Sequence, residues 1–355
     1  SLVYFSLVMT INRTNVILAD CHKDEVKDFA DGCCAEANEQ FEIISSISNW
    51  GHGGMMQNFR RYAAYFSFPF KVFLKRERYN AILGWQQFYA INFTLFCRIF
   101  HVRKRNLVVA VNFTYKRKGG FIGKIYHCYM KFSCNNKYID YFHVPSHNYV
   151  KRCCEDLGLS ESKFIVTGFG VPDTYLQMKD LKVPLVNYTL SIGRSNRDFD
   201  FLVEVWKQDC LKNKTLVIAS DTWKPRTELP KNIIFRNDIK YDESFAWFNC
   251  CDVCITPIAD GNICSGDTVL LTGMMFAKPV VVTTPSTLAE MYVKDDVNGI
   301  CITKDAAVAA QKIAALVDNK AEIKRLGMSA RDSFLADFSR KSMGKILCKK
   351  IKMVK

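Results

Sequence analysis

The segment Asp252-Val-Cys-Ile-Thr-Pro257, then Ala259-Asp-Gly-Asn-Ile-Cys-Ser-Gly266, a run over 267–277 and Pro279-Val-Val-Val-Thr283, reads as strand, glycine-bearing loop, helix and strand. Such a unit is the crossover of a parallel sheet. The predicted helix starts where Ser265 can cap and Gly266 lets the backbone come close. Its first unpaired N–H groups then point into the mouth of the sheet, a position that suits a phosphate. The plainer reading, an ordinary crossover whose Ser-Gly only caps the helix, stays open on this segment alone.

The alternation extends in both directions. Upstream, Tyr188-Thr-Leu-Ser-Ile192 is a strand ending in Gly193-Arg-Ser-Asn-Arg-Asp198, 201–207 is amphipathic, and Thr215-Leu-Val-Ile-Ala219 and Asn232-Ile-Ile-Phe235 are further strands. Downstream, 306–316 and 320–336 read as helices and 339–355 as a basic terminal helix. The first half repeats the pattern: strand Asn15-Val-Ile-Leu-Ala-Asp20, helix 23–40, strand Phe41-Glu-Ile-Ile-Ser-Ser-Ile47, the cluster Asn49-Trp-Gly-His-Gly-Gly54, and helix 55–66. Strands Tyr79-Asn-Ala-Ile-Leu-Gly84, Asn106-Leu-Val-Val-Ala-Val111 and 138–145 follow. This order predicts an α/β protein of two doubly wound, Rossmann-like domains: an N-terminal domain over 1–173, a linker over 174–187, a C-terminal domain over 188–338 and the terminal helix over 339–355. The strand ends of the two domains are expected to face a cleft, a natural place for a two-substrate reaction.

With 355 residues, 49% of them hydrophobic, the chain can fill two cores. Its 15 cysteines are scattered, and the one C-x-x-C pair, Cys251 and Cys254, lies in a predicted buried strand without matching partners. The reading is free thiols in a reducing cytosol, with no zinc site. No apolar run approaches the roughly 20 residues of a membrane-spanning helix, and 1–10 is too short and uncharged for a signal peptide. A cytoplasmic protein is expected. The net charge of +14 calls for an anionic partner: nucleic acid, lipid head groups or phosphorylated small molecules.

Several residues stand where such sheets bind ligands. Arg194 and Arg197, in a loop freed by Gly193, can clamp a diphosphate with charge-assisted bonds. The helix start at Ser265, Gly266, Asp267 and Thr268 faces the same group, while Asp198 either orients an arginine or caps the helix after it. In the plainer reading the two arginines are surface charges. In the first half, His52 within Gly51-His-Gly-Gly54 is the candidate catalytic histidine, followed by Asp20 and His22. Gly53, Trp85, Gln86 and Gln87 are candidate acceptor-binding residues, although the glycines can be only a tight turn and Trp85 can equally be core.

Together, Gly193-Arg194 after a strand, Cys251-Asp-Val-Cys-Ile-Thr-Pro257 and Leu270-Leu-Thr-Gly-Met-Met-Phe-Ala-Lys-Pro-Val-Val-Val-Thr283 resemble the second domain of two-domain (GT-B) glycosyltransferases, in particular the group-1, or family 4, nucleotide-sugar-dependent enzymes. Glu290, Asp296-Val-Asn-Gly-Ile300 and Phe169-Gly-Val-Pro-Asp173 add to a match that covers 164–298 well and the first domain only in layout. The resemblance implies a nucleoside-diphosphate sugar as co-substrate, with no further cofactor and no metal. The second domain would hold this donor, and a glycan or lipid-linked saccharide would enter against the first. It sets Arg194 and Arg197 at the diphosphate, the Ser265-Gly266 turn at a phosphate, and Asn237, Asp238 and Ile239 at the nucleobase. The family's two glutamates are absent from the positions held here by Cys264 and Thr272, so the stereochemical outcome does not carry over; Asp260 or Asp267 can substitute. The family's first-domain histidine is likewise replaced by Asn112 or its neighbours.

Positive charge is concentrated over 98–137, which holds Arg98, Arg103, Lys104, Arg105, Lys116, Arg117, Lys118, Lys124, Lys131 and Lys137 with no Asp or Glu among them. Phe121, Ile122, Ile125, Tyr126, Tyr129, Met130 and Phe132 interleave them on a predicted helix, with Lys124, His127 and Lys131 near one side. That pattern suits an anionic membrane interface; the plainer reading is a core helix whose lysines reach solvent. The expectation is a peripheral glycosyltransferase at the inner face of the membrane, acting in surface polysaccharide assembly, with no nucleic acid as partner. Two competing readings remain. One is a nucleic-acid-binding basic α/β protein, against which stands the lack of any recognisable binding motif. The other keeps the fold and changes the reaction, to a sugar-nucleotide epimerase or a phosphorylase.

Overall fold

The computed structural model describes residues 13–46, 54–263 and 265–351. They form two compact units, the first running to Thr167 and resuming at Met343, the second spanning Gly168–Ser342.

The first unit contains, in order, β1 (Thr14–Ala19), α1 (Lys23–Ala37), β2 (Phe41–Ser45), α2 (Met55–Leu74), β3 (Tyr79–Gly84), α3 (Gln87–Ile99), β4 (Leu107–Ala110), α4 (Gly120–Cys134), β5 (Tyr141–Val144), α5 (His147–Leu157) and β6 (Phe164–Val166). The strands pair in parallel in the order β2-β1-β3-β4-β5-β6. Helices cover both faces, which is why β1 and β3 are apolar runs rather than alternating ones. One face packs Tyr89 and Phe93 of α3 and Met130 of α4 on the sheet. The other packs Val26, Phe29 and Cys33 of α1.

The helix expected over 55–66 runs on to Leu74, straight through Pro69. A proline removes the N–H that would bond the carbonyl of Tyr65 one turn back. Here the buried Asn92 side chain of α3 donates to that carbonyl instead (2.7 Å). The helix continues because tertiary structure replaces the missing bond.

The second unit contains α6 (Tyr175–Met178), β7 (Tyr188–Ile192), α7 (Phe199–Trp206), β8 (Thr215–Ala219), β9 (Ile233–Arg236), α8 (Tyr241–Cys250), β10 (Val253–Thr256), α9 (Asp267–Met275), β11 (Val280–Thr283), α10 (Thr287–Tyr292), β12 (Ile300–Ile302), α11 (Ala306–Val317) and α12 (Lys320–Ser333). Its parallel sheet has the order β12-β11-β10-β7-β8-β9. The segment 174–187, expected as a linker, is built into this unit. The Asn249 side chain donates to the carbonyls of Lys179 (2.6 Å) and Leu181 (2.9 Å), and Arg331 makes a two-bond pair with Asp173 (2.8 and 2.7 Å). The terminal helix α13 (Arg340–Lys350) belongs largely to the first unit, where Met343, Leu347 and Cys348 pack on Phe29 and Cys33.

Candidate functional site

In the second sheet, β7 and β10 are neighbours, but the strand order runs away from them in opposite directions. Their loops part, and a crevice opens at the carboxyl end of the strands. A pocket of about 670 Å³ fills it, lined by Gly193, Arg194 and Arg197 after β7, Asp221 after β8, Asn237, Asp238 and Ile239 after β9, and Ser265, Gly266, Asp267 and Thr268 at the start of α9. Every residue predicted for the diphosphate and the nucleobase is therefore in one cavity. Asn196, in the left-handed region at φ 55°, ties two of the loops. Its amide donates to the Asp260 carbonyl (3.0 Å) and accepts from the Asp260 N–H (2.8 Å). Asp198 takes the capping role, accepting from the Phe201 N–H (3.2 Å), and pairs with Lys304 (3.0 Å).

Arg197 is mostly buried, and its guanidinium lies against two glycines. A Cβ on Gly193 would come within 2.5 Å of Nε, and one on Gly266 within 2.8 Å of a terminal nitrogen. One terminal nitrogen donates to the Ser195 carbonyl (2.9 Å), while Nε has no hydrogen-bond partner among the described residues. Burial pulls the Arg197 pKa down to about 10, against the opposing pull of Asp267. The pocket thus holds a partly desolvated cation whose charge is only partly answered, an arrangement that favours an anion beside it. Arg194 is exposed, and its Nε donates to Asp221 (2.9 Å).

The start of α9 differs from the expectation for Ser265. Gly266, at φ 107°, is the capping residue, and no side chain caps the helix. The Ser265 hydroxyl donates to the Ser195 carbonyl (3.4 Å). A left-handed residue immediately before the helix turns Ser265 away from the capping position. Asp267 is engaged by Tyr292, whose hydroxyl donates to its Oδ1 (2.6 Å) and accepts from the Phe169 N–H (3.0 Å). The Thr272 hydroxyl donates one turn back to the Thr268 carbonyl (2.6 Å). Cys264 lies outside the described residues.

Asp238 makes a two-bond pair with Arg236 (2.7 and 2.8 Å), and that guanidinium holds its carboxyl below the usual range. The backbone groups of Asn237 and Ile239 make no hydrogen bond to described residues. Tyr241, Phe245 and Phe248 of α8 form an apolar wall beside them, which sequence reasoning missed. The signal was present, since aromatic residues at i, i+4 and i+7 share one helical face. Tyr292 was also missed, and nothing near it in sequence marks it.

The first sheet changes direction between β1 and β3. At the carboxyl ends of those strands the Gln86 side chain donates to Asp20 (2.8 Å), so two predicted residues meet. The others divide. Trp85 packs on Phe29, with ring centroids 5.1 Å apart, as core. Gln87 is buried, its carbonyl oxygen accepting from the Thr114 N–H (2.7 Å). His22 caps α1 in a capping box with Glu25. His127 bonds the Tyr115 hydroxyl (2.6 Å). His52 and Gly53 lie outside the described residues. The described cysteines are free thiols, and among the described residues no group of three or more His, Cys, Asp and Glu side chains is arranged to hold a metal.

Residues 186–319 match the family described as Glycosyl transferases group 1. No curated protein sequence matches the chain. Among solved structures, a glycosyltransferase from Rickettsia africae ESF-5 aligns with a TM-score of 0.59 at 14% identity, over 95% of this chain and 97% of that one. Sucrose-phosphate synthase from Thermosynechococcus elongatus aligns with a TM-score of 0.59 at 13% identity, over 95% and 98%. HepE of Anabaena, solved with UDP and glucose, aligns with a TM-score of 0.56 at 14% identity, over 95% and 99%. At these identities the likeness is one of fold. The chain has the two-domain GT-B fold, and its second unit, which contains the whole of the switch-point pocket, is similar in sequence to the group 1 glycosyl transferases.

Proposed function

We propose that the chain is a glycosyltransferase that moves a sugar from a nucleoside-diphosphate sugar to a hydroxyl of a glycan or lipid-linked saccharide in surface polysaccharide assembly. The observation that carries this reading is Arg197, a partly desolvated cation set between Gly193 and Gly266 beside the uncapped start of α9. HepE solved with UDP-glucose supports the donor class. WaaB, a lipopolysaccharide outer core galactosyltransferase, and WaaG, involved in lipopolysaccharide biosynthesis, support the kind of product.

In this reading the bond from the sugar's anomeric carbon to the diphosphate breaks and its electron pair goes to the phosphate oxygen. Arg197 and the α9 N–H groups stabilise that charge, so protein cations and dipoles rather than a metal answer it. The acceptor hydroxyl bonds the anomeric carbon and gives up its proton. Asp20, oriented by Gln86, is a carboxylate suited to receive it, with His52 the other candidate. Asn237, Asp238 and Ile239 meet the nucleobase, with Tyr241 and Phe245 alongside. The basic region over 98–137 holds the protein at the inner face of the membrane. Among the described residues no helix is long and apolar enough to cross one.

Titration with UDP, GDP, ADP, their common sugar conjugates and a short single-stranded RNA tests the reading. One nucleoside diphosphate and its sugar conjugate are expected to bind. Arg197→Ala should weaken that binding about 10- to 100-fold, the scale of a charge-assisted hydrogen bond to phosphate. Arg194→Ala should cost less than about tenfold, because an exposed group already shared with Asp221 contributes little. Unchanged donor affinity and turnover in the double variant would remove the clamp. Binding of RNA alone would favour the nucleic-acid reading.

A further inference from the structure

Two helices of the first unit carry large apolar side chains that the described residues leave exposed. Residues 54–60, at the start of α2, are all exposed, including Met55 (91%) and Phe59 (72%). The start of α4 does the same with Phe121 (77%) and Ile122 (80%). Scattered single residues of this kind need no explanation, but a contiguous set does.

The two sets begin helices that meet two turns further on. Both helices follow strands of one parallel sheet, so both begin at its carboxyl edge, and both pack on α3. Asn92 braces them together, donating to the Tyr65 carbonyl (2.7 Å) and accepting from the Tyr129 hydroxyl (2.5 Å). The Phe66 and Tyr129 rings are 6.1 Å apart. The helices run in the same direction with Phe66 level with Tyr129, and their equal rise carries Phe59 to the level of Ile122. The two helices themselves carry charge of one sign. Neither contains a carboxylate, while Arg61 lies in α2 and Lys118, Lys124 and Lys131 lie in or just before α4.

An apolar centre with a cationic rim is complementary to a surface that is apolar within and anionic without. We propose that the starts of α2 and α4 form one docking face for an anionic lipid bilayer. Met55, Met56, Phe59, Phe121, Ile122 and Ile125 enter the head-group layer, and the lysines around α4 meet lipid phosphates. This goes beyond contact through the basic region, because α2, outside that region, supplies half of the inserted surface. The face lies at the same sheet edge as Asp20 and Gln86, so docking brings the acceptor end of this unit to the lipid and makes a lipid-linked acceptor the natural one. Only this last clause rests on the glycosyl-transfer reading.

The test is co-sedimentation of the full chain with vesicles of phosphatidylcholine alone and of phosphatidylcholine mixed with phosphatidylglycerol, without nucleotide. The chain is expected to bind the mixed vesicles and not the neutral ones. Met55→Ser, Met56→Ser and Phe59→Ser together leave every basic residue in place and should lower binding roughly tenfold or more. Lys118→Gln, Lys124→Gln and Lys131→Gln should each lower it about fivefold and flatten its salt dependence. These side chains are exposed, so both sets should melt as the parent does and keep its nucleotide binding. The proposal is overturned if the parent ignores anionic vesicles or if the α2 variant binds them undiminished. It is equally overturned if the α2 variant loses a concentration-dependent dimer in place of vesicle binding, because a second copy then covers the face. Vesicle binding without nucleotide binding would leave the proposal standing and remove the glycosyl-transfer reading.

Discussion

Arg197 is charged at any ordinary pH, since even its lowered pKa is near 10, and what it meets depends on Asp267. That aspartate is the first residue of α9, where a carboxylate interacts favourably with the helix N-terminus and would compete there with an incoming anion. The Tyr292 hydroxyl, itself fixed by the Phe169 N–H, engages it (2.6 Å). Tyr292→Phe should release Asp267 towards Arg197 and the α9 N–H groups. Nucleoside-diphosphate binding would then weaken roughly three- to tenfold, on the scale of the ~1 kcal/mol of one partly exposed ion pair. Adding Asp267→Asn should restore it, because the competing charge is gone, and binding of the uncharged nucleoside should not change. Titration calorimetry on the single and double variants reads all three, and failure of the double variant to recover would reduce Tyr292 to a packing role.

Among the elements, α2 shows how far sequence reaches. The strands β3, β7 and β8 were legible to their ends because each is an apolar run of strand length closed by a glycine or a polar loop. The runs of β7 and β10 located the loops that carry Arg194, Arg197 and the start of α9, whereas Asn237, Asp238 and Ile239 were placed by the family resemblance. The helix expected to end at Phe66 runs on through Pro69, because the side chain that replaces the lost bond, Asn92, comes from α3, beyond β3 in the chain. Three other features were hidden for the same reason. The Asp20–Gln86 bond needs β1 beside β3, Tyr292 meets Asp267 only once α9 and α10 are placed, and the turning away of Ser265 depends on the φ of Gly266. Asn92 also carries a prediction. It is fully buried and serves α2 and α4 at once. Asn92→Ala leaves the Tyr65 carbonyl and the Tyr129 hydroxyl without this partner, so it should cost about 2–3 kcal/mol. The change should appear as a lower urea midpoint, with faster amide exchange confined to α2 and α4. A variant as stable as the parent would mean that the two groups find other partners.

At the scale of the whole molecule, the chain completes its first unit last. After β6 it builds all of the second unit, then returns Met343, Leu347, Cys348 and Ile351 to the face of the first sheet covered by α1. Neither core of the second unit contains these residues. The close fit is made at Gly344, where an added Cβ would come within 2.2 Å of the Phe29 carbonyl, a backbone atom that cannot move aside as a flexible side chain would. Gly344→Leu therefore forces α13 off α1 and should destabilise the first unit by about 1–3 kcal/mol through overpacking. The second unit should keep its pocket. In scanning calorimetry, saturating nucleoside diphosphate should raise the transition of the second unit, as any ligand of the native state does, and Gly344→Leu should lower the other transition while leaving that shift intact. One transition lowered as a whole, with nucleotide binding lost, would mean that the two units fold cooperatively and that their separate cores do not give them separate stabilities.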